Sequence, residues 1–249
     1  MHSGRQVIGL AGSKGRKDIV KRCEKFEIDP SQYFEGVERD RAVKSLATYL
    51  GEEQGQASYT GAKFEDLISR SDPDLFTPWD VLAVQALSIP AQPAKMSWLL
   101  NDVNAQASAL LRQIPKLAIA DAPDLLAEGE AADRLWHLLR PLGVVTRSKI
   151  LSAKRPSLIP IKDSVVVKAM TGCAISQLSN WWELWVTRSK RVDAPALFDS
   201  VRSVRSEVGG DALVLSELRT VDIVVWMRHH GWTFSSVLKN SEYESPVGA

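Results

Sequence analysis

The stretch LWHLLRPLGVVTRSKILSAK at residues 135–154 runs directly into RPSLIPIKDSVVVK at residues 155–168. A short apolar helix ends at Leu139 and a Pro-Leu-Gly turn follows. A second helix begins near Thr146. A hairpin of this kind leaves backbone N–H groups free at the start of the second helix, and the positive end of that helix suits a phosphate oxygen. Gly143 permits the unusual φ and the close backbone approach that the turn needs. The charges around the turn agree: Arg134, Arg140, Arg147, Lys149, Lys154, Arg155, Lys162 and Lys168 are basic, and Asp163 is the only acid from residue 134 to residue 168. The competing reading is a basic helix face that is merely solvated.

Outward from this stretch the chain reads as helical. Ala42, Val43, Leu46 and Leu50 recur at helix spacing, with Gly51 as a stop. Phe64, Leu67 and Ile68 form a short apolar face. Thr77 and Pro78 open another helix as N-cap and first-turn proline. Further helices are expected near residues 93–101, 104–113, 128–139, 177–188, 194–208 and 216–230. No sustained two-residue alternation marks a sheet, so the expected class is all-α. Trp181, Trp182 and Trp185 read mainly as packing residues. His229 and His230 are adjacent, not at the spacing of helical metal ligands. They read as a helix end capped by Gly231, and no metal site is expected.

Composition sets the outer bounds. The chain has 249 residues, is 45% hydrophobic and 24% charged, and carries a formal net charge of +1. Any nucleic-acid signal must therefore be local. The GSKGRK run at residues 12–17 lacks the order of a phosphate-binding loop and reads as a turn. Cys23 and Cys173 are too few for a four-cysteine iron–sulfur cluster or zinc site, and reduced thiols in a cytoplasmic protein are expected. No apolar run is long enough to span a bilayer, and no secretory signal is read at the N-terminus. Residues 240–249 read as a loose tail.

The central stretch resembles the helix-hairpin-helix (HhH-GPD) DNA glycosylase superfamily. Its members carry a Leu-Pro-Gly-Val-Gly-like hairpin, then a helix, a loop and an apolar-Pro-apolar-x-Asp segment. Setting Gly143 on the second hairpin glycine puts Asp163, twenty positions on, at the family's catalytic aspartate. Ile150 and Leu151 fall on the usual apolar pair. Leu142 replaces the first hairpin glycine, and Arg147 stands where a small residue is usual. Elsewhere, YTGAKF at residues 59–64 and TPWD at residues 77–80 resemble a bacterial family to which no activity is attached.

The resemblance implies two helical subdomains with a cleft between them. Residues 38–155 end in the hairpin, and residues 156–249, with 1–37, are opened by Asp163. It implies a monofunctional DNA glycosylase that acts as a monomer on DNA, without cofactor, metal or iron–sulfur cluster, in repair or in defence against modified viral DNA. The target base leaves the stack, and Asp163 stabilises the oxocarbenium-like sugar. Leu142, Gly143, Val145, Thr146, Arg147 and Lys149 are the expected DNA contacts. Tyr59, Phe64 and Trp79 are the expected pocket wall. Val145 stands where strand-cutting members carry a Schiff-base lysine, and Lys149 lies about one helical turn further on. Two alternatives stay open: a non-catalytic DNA-binding module in which Asp163 only caps a helix, and a helical scaffold without DNA affinity.

Overall fold

The structure is a computed structural model and describes residues 25–52, 58–90, 92–177 and 180–230. Among the described residues there are eleven α-helices and no strand. They are α1 (Gly36–Leu50), α2 (Phe64–Ser69), α3 (Pro78–Ala86), α4 (Pro93–Ser97), α5 (Asn104–Leu111), α6 (Ala131–Leu138), α7 (Val144–Lys154), α8 (Ser164–Thr171), α9 (Trp181–Ser189), α10 (Ala194–Val208) and α11 (Glu217–His229). The all-α expectation holds. The GSKGRK run, Cys23, Gly231 and the C-terminal tail lie outside the described residues.

Local chemistry explains several boundaries. Gly51 ends α1 in the left-handed region, with φ of 77°. Thr77 precedes α3 in extended backbone, and its N–H donates to Asp80 Oδ2 at 2.7 Å. Pro78 occupies the first turn, where its missing N–H costs nothing. Asp163 is extended, with φ of −96° and ψ of 145°, and its Oδ1 accepts the Val165 N–H at 2.9 Å to cap α8. A 3-10 turn over Arg140–Leu142 joins α6 to α7, and Gly143 (φ 82°, ψ 159°) redirects the chain. The second helix therefore starts at Val144, two residues before the expected Thr146.

Helix α7 packs against α2, α3 and α6, while α8 packs on α11 and α11 on α1 and α10. One apolar cluster runs through these helices from Tyr33 to Val225. The expected boundary at residue 38 assigns α1 to the first unit, but its helix partners are α10 and α11. Trp181 and Trp185 are buried in the core, and Trp181 Nε1 donates to Ile161 O at 2.9 Å. His229 Nε2 lies 2.9 Å from the Tyr33 hydroxyl, and His230 stacks on Trp226 at 4.2 Å. Cys173 is disulfide-bonded, which corrects the expectation of reduced thiols. No helix among the described residues is long and apolar enough to cross a membrane.

Candidate functional site

The basic stretch is mostly interior. Arg147, Lys149, Lys154, Arg155 and Lys162 are all buried, whereas Arg134, Arg140 and Lys168 are exposed. At the end of α7, Lys154 Nζ meets Asp80 Oδ2 at 2.6 Å, Ser71 Oγ at 2.6 Å and Asp72 O at 2.8 Å. Arg155 donates to Ile114 O, Pro73 O, Lys154 O, Leu111 O and Asp74 Oδ1. These cations hold the fold together. They line a cavity of about 580 Å³ beside α2, but their donors are already committed to protein acceptors.

Asp163 sits differently. Its Oδ1 is used by the α8 cap, and its Oδ2 lies 3.3 Å from Lys149 Nζ. Lys149 also donates to Leu87 O at 2.9 Å. Both side chains border a cavity of about 370 Å³. Its walls come from distant parts of the chain: Tyr49 from α1, Tyr59 and Gly61 from the segment before α2, Val145 from α7, and Arg219, Asp222 and Trp226 from α11. Tyr59 stacks on Tyr49 at 5.6 Å and meets Trp226 edge-on at 5.8 Å. A Cβ at Gly61 would run into the Tyr49 hydroxyl, so glycine is needed for that ring to take its place.

Arg219 organises the cavity floor. It donates to Glu65 Oε1 at 3.0 Å, to Asp222 Oδ2 at 2.5 Å and to the Tyr49 hydroxyl at 2.7 Å. Burial acts to lower the pKa of its guanidinium, but Tyr49, Glu65 and Asp222 together outweigh it and hold Arg219 charged. Two carboxylates thus share one cation, and their outer oxygens, Glu65 Oε2 and Asp222 Oδ1, are buried without a protein partner. Burial pushes the Asp222 carboxyl up to about 6; Arg219 opposes this and the charge of Asp163 adds to it. Burial likewise raises the Tyr49 phenol. The site therefore offers a fixed carboxylate beside an ammonium, a second carboxyl that burial holds well above the usual carboxylate range, and aromatic faces for a planar ring.

Of the expected pocket wall, only Tyr59 lines this cavity. Phe64 is buried in a small cluster with Ala83 and Ala153, under the Arg219 guanidinium at 5.3 Å. Trp79 is 38% exposed and carries Arg70 over its ring at 5.4 Å. Of the six expected DNA contacts, Gly143 alone is exposed and Val145 is half-buried, while Leu142, Thr146, Arg147 and Lys149 are buried. An ammonium already shared between a carboxylate and a carbonyl is not offered to a phosphodiester on the surface, so Lys149 belongs to the cavity instead. Arg147 packs over the Trp136 ring at 3.7 Å, in a separate recess.

Tyr49, Arg219, Asp222 and Trp226 escaped the sequence reading. The signal available was on α11, where Arg219, Asp222 and Trp226 recur at helix spacing through an otherwise apolar run. No group of three or more candidate metal ligands occurs among the described residues.

No curated protein and no solved structure matches the chain. A family model does match over residues 42–229, from α1 through α11, and the chain therefore belongs to the family of unknown function DUF6308.

Proposed function

We propose that this protein is a monofunctional DNA glycosylase that leaves an abasic site. In this reading α6, the turn at Arg140–Leu142 and α7 act as a helix-hairpin-helix. The exposed Gly143 and the first N–H groups of α7 approach a phosphate. The flipped base enters the cavity walled by Tyr49, Tyr59 and Trp226, where base–aromatic stacking contributes about 1–3 kcal/mol.

The observation that carries the reading is the seat of Asp163. One of its oxygens is spent on the α8 cap, which fixes the carboxylate, and the other lies 3.3 Å from Lys149 Nζ where both residues border the cavity. A carboxylate held so stabilises a developing oxocarbenium ion without reorganising at the moment of reaction. It also orients the attacking water.

The test is release of a base. Wild-type protein and Asp163→Asn are incubated with DNAs carrying damaged, deaminated or hypermodified bases. Alkali-dependent strand cleavage is expected from the wild type only. Asparagine caps a helix as well as aspartate does, so the variant is expected to fold and to bind DNA. Salt-sensitive DNA binding with no base released from any substrate makes the protein a non-catalytic module.

A second reading is favoured by the 3.3 Å contact between Lys149 and Asp163. The amine lines the same cavity, within reach of a sugar placed against the carboxylate. Once Lys149 has passed a proton to Asp163, attack of its lone pair on C1′ breaks the bond to the base, which leaves with a proton. Opening of the C1′–O4′ bond, with O4′ taking up a proton, then forms the iminium ion. Strand cleavage without alkali, with a borohydride-trapped adduct lost in Lys149→Met, replaces the monofunctional reading by this one.

A further inference from the structure

Asp163 answers for the sugar and not for the base. When the C1′–N bond breaks, its electron pair goes to the base, and a neutral base leaves as a neutral molecule only if it gains a proton. Asp222 is placed to supply one. It stands on α11, which packs on α8, the helix that Asp163 caps. Both carboxyls border the same cavity. Trp226 borders it too, four residues further along α11. The aromatic wall and this carboxyl are therefore one turn apart on a single helix.

Asp222 also differs from a structural carboxylate. Arg219 donates to its Oδ2 at 2.5 Å, while its Oδ1 is buried without a protein partner. The residue is 9% exposed. A buried polar atom without a partner is costly, and a ligand atom relieves it. The surroundings keep a proton there. Burial pushes this carboxyl up to about 6; Arg219 and Lys149 oppose the shift, and the charge of Asp163 adds to it. Tyr49 of α1 and Glu65 of α2 accept from the same Arg219 guanidinium. The other charged groups packed on α11 are engaged elsewhere. Arg202 and Arg205 of α10 pair with Glu217, Glu38 of α1 pairs with Arg228, and Tyr33 meets His229.

We infer, on the reading of this cavity as a glycosylase site, that Asp222 is the general acid that protonates the departing base. Its proton sits on Oδ1, since Oδ2 accepts from Arg219. As the C1′–N bond breaks, the electron pair passes to the base, which takes the Asp222 proton on a ring nitrogen or carbonyl oxygen. Asp163 takes a proton from the water that adds to C1′. The base leaves neutral and the sugar keeps the new hydroxyl. Proton exchange with solvent returns both carboxyls to their starting states.

Base release by the full chain tests this on two kinds of duplex. One carries 7-methylguanine, whose ring already bears a positive charge and leaves without taking a proton. The others carry neutral bases: hypoxanthine, uracil or N6-methyladenine. Wild-type release of a neutral base is expected to fall as pH rises through about 6. Asp222→Asn, shown to be folded by circular dichroism, is expected to slow that release about hundredfold or more and to abolish the fall. Its effect on 7-methylguanine is expected to be far smaller, and Asp222→Glu is expected to recover part of the neutral-base rate. Asp163→Asn is expected to slow both kinds. Equal slowing of both kinds by Asp222→Asn would mark a structural residue and overturn the inference. So would a wild-type rate and pH profile in Asp222→Asn, and with Asp163→Asn still inactive the glycosylase reading would stand. Where the wild type does not release 7-methylguanine, the pH profile and the Asp222→Glu rescue decide. If no duplex loses a base, the glycosylase reading falls and this inference falls with it.

Discussion

The two ends of α7 carry the same kind of residue and use it in opposite ways. At the C-terminal end, Lys154 has three acceptors for its three protons, and all five N–H groups of Arg155 are matched. Nothing is left for a ligand. At the N-terminal end, Lys149 has two protein acceptors and Arg147 one. All four are buried. Burial therefore does not separate structural from functional charge along this helix. What separates them is whether donors remain over when the protein's own acceptors have been counted.

The comparison breaks most visibly at Lys154. Lys154→Met leaves Asp80 buried and unpaired, and the expected loss is about 3–5 kcal/mol by urea denaturation. Lys149→Met leaves Asp163 still capping α8 and partly open to the cavity, so the expected loss is about 1 kcal/mol. Equal losses would erase the difference between the ends. A smaller effect comes from Asp222. Its folded-state value of about 6 lies above the ordinary 3.8, so between those values the folded protein holds more protons than the unfolded chain. The contribution of this group to stability is then present at low pH and falls as pH rises through that window. Denaturation midpoints measured across the window should show that slope, and Asp222→Asn should flatten it. Smallest of all is Arg140→Ala on the exposed turn. It is expected to change stability by less than about 0.5 kcal/mol and to lower DNA affinity only at low salt. A large stability loss there would mean that the turn is part of the scaffold.

Much of the fold was legible because helix ends announce themselves locally. Gly51, Thr77 with Pro78, and Asp163 each mark a boundary through chemistry within four residues of itself. The range expected for α10 is the one found. The site was legible at Asp163, Tyr59, Val145 and Lys149. The rest depends on partners far away along the chain. A run of lysines and arginines looks like a surface until Asp80 and Asp74 arrive from more than seventy residues upstream. The aromatic wall was misjudged because closeness in sequence does not set which way a ring faces: Phe64 and Trp79 serve other clusters, while Tyr49, from α1, and Trp226, from α11, pack against Tyr59.

The cavity walls also set a timetable. Tyr49 lies near the start of the matched region and Trp226 near its end. During synthesis, which adds about 5–20 residues each second, the helices through α8 emerge first, with Asp163 among them. Until α11 follows, Asp163 has no Arg219, Asp222 or Trp226 opposite it. A chain interrupted before α11 would carry the aspartate with no chamber around it, so the cavity is completed only when the last described helix has been made.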